Sequence, residues 1–416
     1  MRGAGGQYTR TELEGGLTVL TESMSGVRSA SVGVWVRFGS AHEPREEMGI
    51  AHLLEHMVFK ATAGRSARDI ALSLERLGGS LDAYTTREHT SFQARVLDEH
   101  LDVALDVLAD LVVHPTLRPA DLELEREVIL EEISTVEDTP DDLIFELQSQ
   151  ALWNGHPYGH SILGTRDTVS ALSAADLRRV HASAYSRPNI VIAAAGHVAH
   201  ERFVRQVATL FSGAPLGGAA PTVPPVDTRP EADVRQSRDT AQTHLALGIR
   251  TFGHPDPRRY ASVLLSNAMG GGMSSRLFQR VREELGLAYS VFSFQSFYRH
   301  AGVSGVYVGT RPEWADHALE VIREEMARVA ASGLDAQELQ DAKGQVKGQL
   351  ALSLESSGGR MHRLAGFELY DEPFQDLDAL TARIDAVTGD DIAAIAAECW
   401  DPDGHTLVRL GPDGAQ

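Results

Sequence analysis

Apolar positions along this chain switch repeatedly between a two-residue and a three-to-four-residue period. Residues 92–96 (Phe92, Gln93, Ala94, Arg95, Val96) alternate, as a strand with one buried face does. Leu101, Leu105, Leu108 and Val112 follow at helical spacing. The segment SGAPLGGAAPTVPPVDTRP (212–230) carries Pro215, Pro221, Pro224, Pro225 and Pro230 with several glycines, which removes both helix and strand options. It predicts a linker between a domain at 1–213 and a second at 231–416.

The two halves repeat one order of elements. SVGVWVRFG (31–39) has a counterpart in THLALGIRTFG (243–253), and GIAHLLEHM (49–57) in ASVLLSNAM (261–269). LRPADLELEREVILEEI (117–133) parallels LDAQELQDAKGQVKGQL (334–350), and SAADLRRVHASAY (173–185) parallels TGDDIAAIAAECW (388–400). Near-constant spacing at this scale is the mark of a duplication. The fold class is therefore α+β in two homologous halves, each a mostly antiparallel sheet covered by helices. Hairpin-linked strands and runs of helices predict that the cover lies on one face.

Composition narrows the setting. The 416 residues are 43% hydrophobic and 23% charged, the balance of a globular chain too long for one ordinary core. The net charge of −20 argues against nucleic-acid binding. It reads as solubility or, more sharply, as an acidic chamber favouring basic peptides. No apolar stretch is long enough to span a bilayer. The N-terminal MRGAGGQYTRTELEGG has no apolar run, and Cys399 is the single cysteine. Together these give the expectation of a cytoplasmic protein.

The candidate chemistry begins at His52-Leu53-Leu54-Glu55-His56. On a helix, His52, Glu55 and His56 share one face, while Leu53, Leu54 and Met57 anchor the other. Two imidazoles one turn apart offer two nitrogens to one zinc ion. Glu55 reaches the same place without being needed as a ligand, and can take a proton from water and pass it to a leaving amine. The plain alternative is a row of polar residues on an amphipathic helix.

A third ligand must come from elsewhere. In the helix predicted near 119–137, Leu122, Val128, Ile129, Ile133 and Val136 form an apolar arc, with Glu125 and Glu132 inside it. Carboxylates on a buried stripe are costly unless paired or metal-bound, so either glutamate qualifies, the alternative being pairing with arginines. In the repeat alignment His52 faces Leu264, Glu55 faces Asn267, His56 faces Ala268, Glu125 faces Ala342 and Glu132 faces Gln349. The whole polar set is missing from the second half, although the apolar framework remains. That places the chemistry in the first half.

These residues resemble the pitrilysin/insulinase family of inverted-motif zinc peptidases, closest to its small bacterial members that resemble the mitochondrial processing peptidase. The likeness runs through GIAHLLEHMVFKAT (49–62), EREVILEEI (125–133), HPYGHSILGT (156–165) and GGGMSSRLFQRVREELGLAYS (270–290). It implies one Zn2+ per chain on His52, His56 and Glu132, with Glu125 supporting the site and Glu55 as the base. It further implies that Arg282 and Tyr289, seven apart, hold substrate and stabilise the reacting carbonyl, Gly286 ending a helix and Tyr289 starting a strand. GGSLDAYTTREHTSF (78–92) resembles the family strand that pairs with substrate backbone, lined by Asp82, Ala83 and Tyr84. The implied activity is endopeptidase cleavage of unfolded polypeptides or short peptides in a closed chamber, by a homodimer without membrane or nucleic-acid partners. Two other readings are a non-catalytic peptide-binding or assembly subunit and a zinc hydrolase acting on a non-peptide amide. His156 and His160 are separated by Pro157 and Gly159 and read as a loop; Gly270 to Gly272 read as a turn or hinge.

Overall fold

The computed structural model describes residues 6–218, 221–227, 229–230 and 233–412; parts of the predicted linker and of both predicted domain ends lie outside them. The first half runs β1 (Gln7–Glu12), β2 (Thr18–Ser23), β3 (Ser29–Val36), α1 (Ile50–Val58), α2 (Ala67–Glu75), β4 (Ser80–Thr85), β5 (Thr90–Leu97) and α3 (Leu101–Val113). It continues with α4 (Pro119–Asp138), α5 (Pro140–Trp153), α6 (Arg166–Ala171), α7 (Ala174–Ala184), β6 (Ile190–Gly196) and α8 (His200–Leu210). The second half holds β7 (Asp233–Ser237), β8 (Thr243–Thr251), α9 (Arg259–Gly270), β9 (Ala288–Phe297), β10 (Gly302–Thr310) and α10 (Ala315–Ser332). It closes with α11 (Ala336–Ser353), α12 (Ser357–Leu369), α13 (Leu377–Ala386), α14 (Gly389–Cys399) and β11 (Thr406–Gly411). Among the described residues, no helix is long and apolar enough to cross a membrane.

The duplication is visible in the sheets. One has the order β1-β2-β6-β3-β5-β4 and the other β7-β11-β8-β10-β9. Leaving β1 aside, the strands correspond one to one. The first pair is parallel in each (β2 with β6, β7 with β11) and every later pair is antiparallel. The described residues of 212–230 form neither helix nor strand.

A cut at the linker does not reproduce the compact units. One comprises residues 1–134, 160–224 and 352–374; the other comprises 135–159, 225–351 and 375–416. Residues 135–159 and 352–374 are thus exchanged, each packing with the sheet of the opposite half. α12 lies on β2, β3 and β6, and α5 lies on β8 and β11.

That exchange corrects the expectation of a sheet covered on one face. In the first unit Val32, Val34, Val36, Ile190 and Ile192 point into one core with α1 and α3. Trp35, Val191, Ala193 and Ala195 point the other way, onto Met361, Leu364, Ala365 and Leu369 of α12. Covering both faces is why every position of β6 (IVIAAAG) is buried, a pattern that alternation does not signal. Each aliphatic side chain α12 buries contributes about 1.5–3 kcal/mol. Buried Glu22 on β2 secures the same helix, accepting from Arg360 and, at 2.8 Å, from Arg363. In the second unit Leu143, Ile144 and Ala151 of α5 do the same against Ala246, Val408 and Leu410.

Candidate metal centre

α1 is apolar nearly all round: Ile50, Ala51, Leu53, Leu54, Met57 and Val58 are buried, which sinks the helix into the core of its unit. Its start is constrained from outside the helix. Gly49 sits at φ 92° and Gly164 at φ 78°, and a Cβ on Gly49 would lie 2.6 Å from the Leu163 carbonyl oxygen. Glu43, buried, accepts the Gly49 amide at 2.9 Å and the Ala51 amide at 2.8 Å, satisfying donors at the helix head. Burial raises its carboxyl to about 8.

The remaining face of α1 presents His52, Glu55 and His56, with the two imidazoles 4.4 Å apart at their centroids. α4 supplies Glu132. Its Oε2 lies 3.8 Å from His52 Nε2 and its Oε1 3.8 Å from His56 Nε2. One ligand atom from each residue falls within 4.8 Å of the others. Tetrahedral ligands at zinc's bond lengths would sit about 3.3 Å apart, so a small closure of this triangle matches the ion. The electrostatics agree: burial, then His56, lowers His52 to about 3, which keeps it in the neutral form a metal ligand needs.

Glu125 holds the triangle from behind. It is buried, accepts His56 Nδ1–H through Oε1 at 2.9 Å, and meets the Lys60 ammonium through Oε2. With Nδ1 donating, the His56 lone pair falls on Nε2, facing Glu132. His52 has no such support; its buried Nδ1 has no partner among the described residues. The two glutamates the sequence left equal are separated by depth: Glu125 is 4% exposed and the Glu132 side chain 39%. Val128, expected in the apolar arc, is instead 44% exposed, because the arc narrows to Leu122, Ile129 and Ile133.

Glu55 is buried beside the triangle and accepts the Thr85 hydroxyl at 2.6 Å. Desolvation raises its pKa, opposed by Thr85 and His56 and assisted by Glu132. Thr85 ends β4, the edge strand that carries Asp82, Ala83 and Tyr84. Strand parity divides these three. Leu81 and Ala83 pack against the core that holds α1, and Thr85 on the same face meets Glu55. Tyr84 faces the opposite side, accepting Trp35 Nε1–H at 3.4 Å and stacking with His362, and Asp82 shares its parity in the exposed class.

Arg282 and Tyr289 belong to the other unit and come together there. Phe278–Glu284 forms a π-helical turn, a geometry frequent at functional sites. Gly286, at φ 62°, closes it as expected and Tyr289 enters β9. The Arg282 guanidinium lies 4.3 Å from the Tyr289 ring centre and donates to the Tyr289 carbonyl at 3.0 Å. Tyr289 is 77% exposed.

Three contributors escape sequence reasoning. Thr85 directly follows the strand residues named, and Lys60 stands inside the motif GIAHLLEHMVFKAT, so each had a signal by adjacency. Glu43 had none, lying in an irregular, proline-containing loop.

A duplicated α+β fold, with a two-histidine, one-carboxylate triangle in a single unit, defines the inverted HxxEH class. The chain belongs to the insulinase family, peptidase family M16. That family's model matches residues 18–166, and the model for the "Peptidase M16 inactive domain" matches residues 171–346. An uncharacterized zinc protease of Streptomyces coelicolor is 41% identical over 94% of this chain and 87% of its own length. Another, from Bacillus subtilis, is 38% identical over 97% of this chain and 98% of its own. The fold is shared with a crystal structure titled peptidase M16 inactive domain from Pseudomonas fluorescens (TM-score 0.92, 24% identity, 99% of each chain). It is also shared with a protease from Helicobacter pylori (TM-score 0.91, 21% identity, 98% of this chain and 100% of that one). His52, His56, Glu125 and Glu132 all fall within the residues the first model matches.

Proposed function

We propose that this protein is a zinc metalloendopeptidase that hydrolyses peptide bonds of unfolded polypeptides or short peptides. The observation that carries the reading is the His52–His56–Glu132 triangle with a buried, Thr85-bound Glu55 beside it. The relatives' names, as zinc proteases, support the choice of metal. His52, His56 and Glu132 would hold one Zn2+, which when bound supplies Lewis-acid polarisation of water and of the scissile carbonyl. Glu55 takes the proton of the attacking water at its carboxylate and returns it to the departing amide nitrogen. Its raised pKa suits the role of base, because a carboxylate whose pKa is shifted towards neutrality takes a proton more readily than an ordinary one. Glu125 and Lys60 keep His56 oriented. An extended peptide adds along β4, so backbone pairing rather than side chains sets recognition. Arg282 and Tyr289 donate to the developing oxyanion. We further propose a cytoplasmic homodimer around a closed chamber, in which this pair from one copy completes the site of the other. Mixing a His52 variant with an Arg282/Tyr289 variant should then restore cleavage.

The alternative of a non-catalytic subunit draws on the "inactive domain" label. That model covers 171–346, where Leu264, Asn267 and Ala268 stand in place of the HxxEH set. The test is chelator-sensitive cleavage of a mixed peptide library by wild type and Glu55→Gln. One zinc per chain in both, with cleavage lost in the variant by at least the 10²–10⁴-fold typical of acid–base removal, supports the peptidase. Zinc without cleavage in wild type supports the binding subunit.

A further inference from the structure

The second unit contains an open depression of about 370 Å³ beside the start of β9. Its walls include Arg282, Tyr289, Arg311, Trp314 and Gln242, and among the described residues no acidic side chain lines it. Both guanidiniums are held against aromatic faces: Arg282 lies 4.3 Å from the Tyr289 ring centre and 4.7 Å from that of Phe278, and Arg311 lies 4.6 Å from that of Trp314. Stacking on an aromatic face fixes a guanidinium plane while using none of its N–H donors; Arg282 spends one of its own on the Tyr289 carbonyl.

The charges here are poorly answered within the unit. Among the described residues Arg282 has one acidic partner, Glu283, at 3.7 Å from Nε and itself largely exposed. Among the described residues the Arg311 guanidinium has no carboxylate partner. Nearby arginines are treated differently: Arg276 grips Glu338 through two bonds at 2.6 Å, and Arg328 reaches both Glu324 and Glu325. In a chain of net charge −20, an acid-free pocket with two arginines needs an anion from outside. Arginine edges above aromatic floors suit a planar carboxylate best, since both oxygens can be met at once.

We propose that this depression binds a carboxylate of the peptide substrate, and that Arg311 is a specificity-determining residue that selects acidic peptides. The proposal rests on the peptidase reading above. It runs against the expectation, drawn from net charge, of a preference for basic peptides. Ala288 and Tyr289 open β9, and Gly309 and Thr310 close β10, so the depression lies at one end of this sheet. The carboxylate is either a side chain or a chain terminus.

The zinc-loaded Glu55→Gln protein allows binding to be measured without turnover. Four peptides of one sequence would be compared by fluorescence anisotropy: an internal Glu or Gln, each with a free or an amidated C-terminus. Wild-type Arg311 should favour the carboxylate-bearing partner by about tenfold, the scale of one charge-assisted pair. The Glu/Gln pair giving the gap identifies a side-chain site; the acid/amide pair identifies a terminus site. Arg311→Gln should close the gap by weakening the acidic peptide alone. Peptide binding without discrimination, or a gap that survives Arg311→Gln, overturns the proposal and leaves the peptidase reading standing. Displacement by micromolar inorganic phosphate with no peptide discrimination reassigns the pocket to phosphate and overturns it too. Failure to bind any of the four peptides defeats both readings.

Discussion

α1 and α9 follow corresponding strands of the two sheets, yet α1 offers two imidazoles and a carboxylate where α9 offers none. Where α1 has His52, α9 has Leu264, fully buried. Where α4 has Glu125, α11 has Ala342, buried at 3%. The second unit closes its core with aliphatic contacts and needs no imidazole there. The first therefore carries imidazoles and buried carboxylates at positions that α9 and α11 fill without them, including a buried His52 Nδ1 with no bonding partner among the described residues. Burying such a group opposes folding. On the peptidase reading proposed above, the difference between the helices is a folding cost tied to the metal site, and the sharpest experiments exchange residues between them.

The largest effect is expected from His52→Leu, which gives α1 the residue of α9. Stoichiometric zinc and cleavage should both vanish, because one of three protein ligands is gone. In chelator, however, the variant should unfold at or above the Tm of the metal-free wild type, since a leucine in this apolar surround leaves no unsatisfied nitrogen. Metal analysis and thermal unfolding in EDTA read the two halves of the claim. A metal-free variant that melts well below wild type would mean that His52 serves the fold, and the comparison with α9 would fail.

A smaller effect follows from Glu125→Ala, the α11 residue placed on α4. His56 keeps its ligand nitrogen but loses the acceptor that fixes its ring, and Lys60 loses its partner. Zinc affinity should fall 10–100-fold, as measured by competition with a chelator of known strength. Glu125→Gln should lie between, keeping an acceptor for Nδ1–H while dropping the charge. Affinity within twofold of wild type in the alanine variant would leave His56 oriented by α1 packing alone.

Much of this contrast is readable without coordinates, for physical reasons. His52, Glu55 and His56 share a helical face by arithmetic, and the repeat makes their absence from ASVLLSNAM informative. Depth is harder to read. Val128 looks like core by spacing and lies open, because the packing of a helix depends on which neighbours reach it. The second cover on each sheet is also hidden. Nothing in the sequence of α5 or α12 says that it packs on the other half's sheet. Thr85 and Lys60 act through contacts set by a strand end and a helix end. Glu43 shows the limit most clearly, since a loop residue reaches the amides of Gly49 and Ala51 only once the chain has folded back.

The smallest effect concerns the two helix heads. Glu43 serves α1 from a fully buried position, with its carboxyl raised to about 8 by desolvation. Asp256 serves the Arg258 amide just before α9 from the surface, and bonding to Arg258 lowers its pKa. These shifts have opposite consequences for stability. The folded first unit holds the Glu43 proton up to about 8, whereas the unfolded chain releases it near 4.5. Across that window the folded state binds more protons, so stability falls as pH rises. Glutamine does not titrate. Glu43→Gln should therefore start at or below wild type at pH 5, having exchanged one of two amide contacts for about 1 kcal/mol, and gain on it steadily towards pH 8. For Asp256 both folded and unfolded forms are ionised above pH 5, so the Asp256→Asn difference should be flat over the same range. Urea unfolding of the two variants against wild type, at pH 5, 6.5 and 8, gives both slopes directly. Parallel flat lines would make Glu43 an ordinary ionised carboxylate and the two helix heads equivalent. A rising line for Glu43→Gln alone would show that the helix of His52 and His56 is tied down by a carboxyl its unit holds against its ordinary pKa.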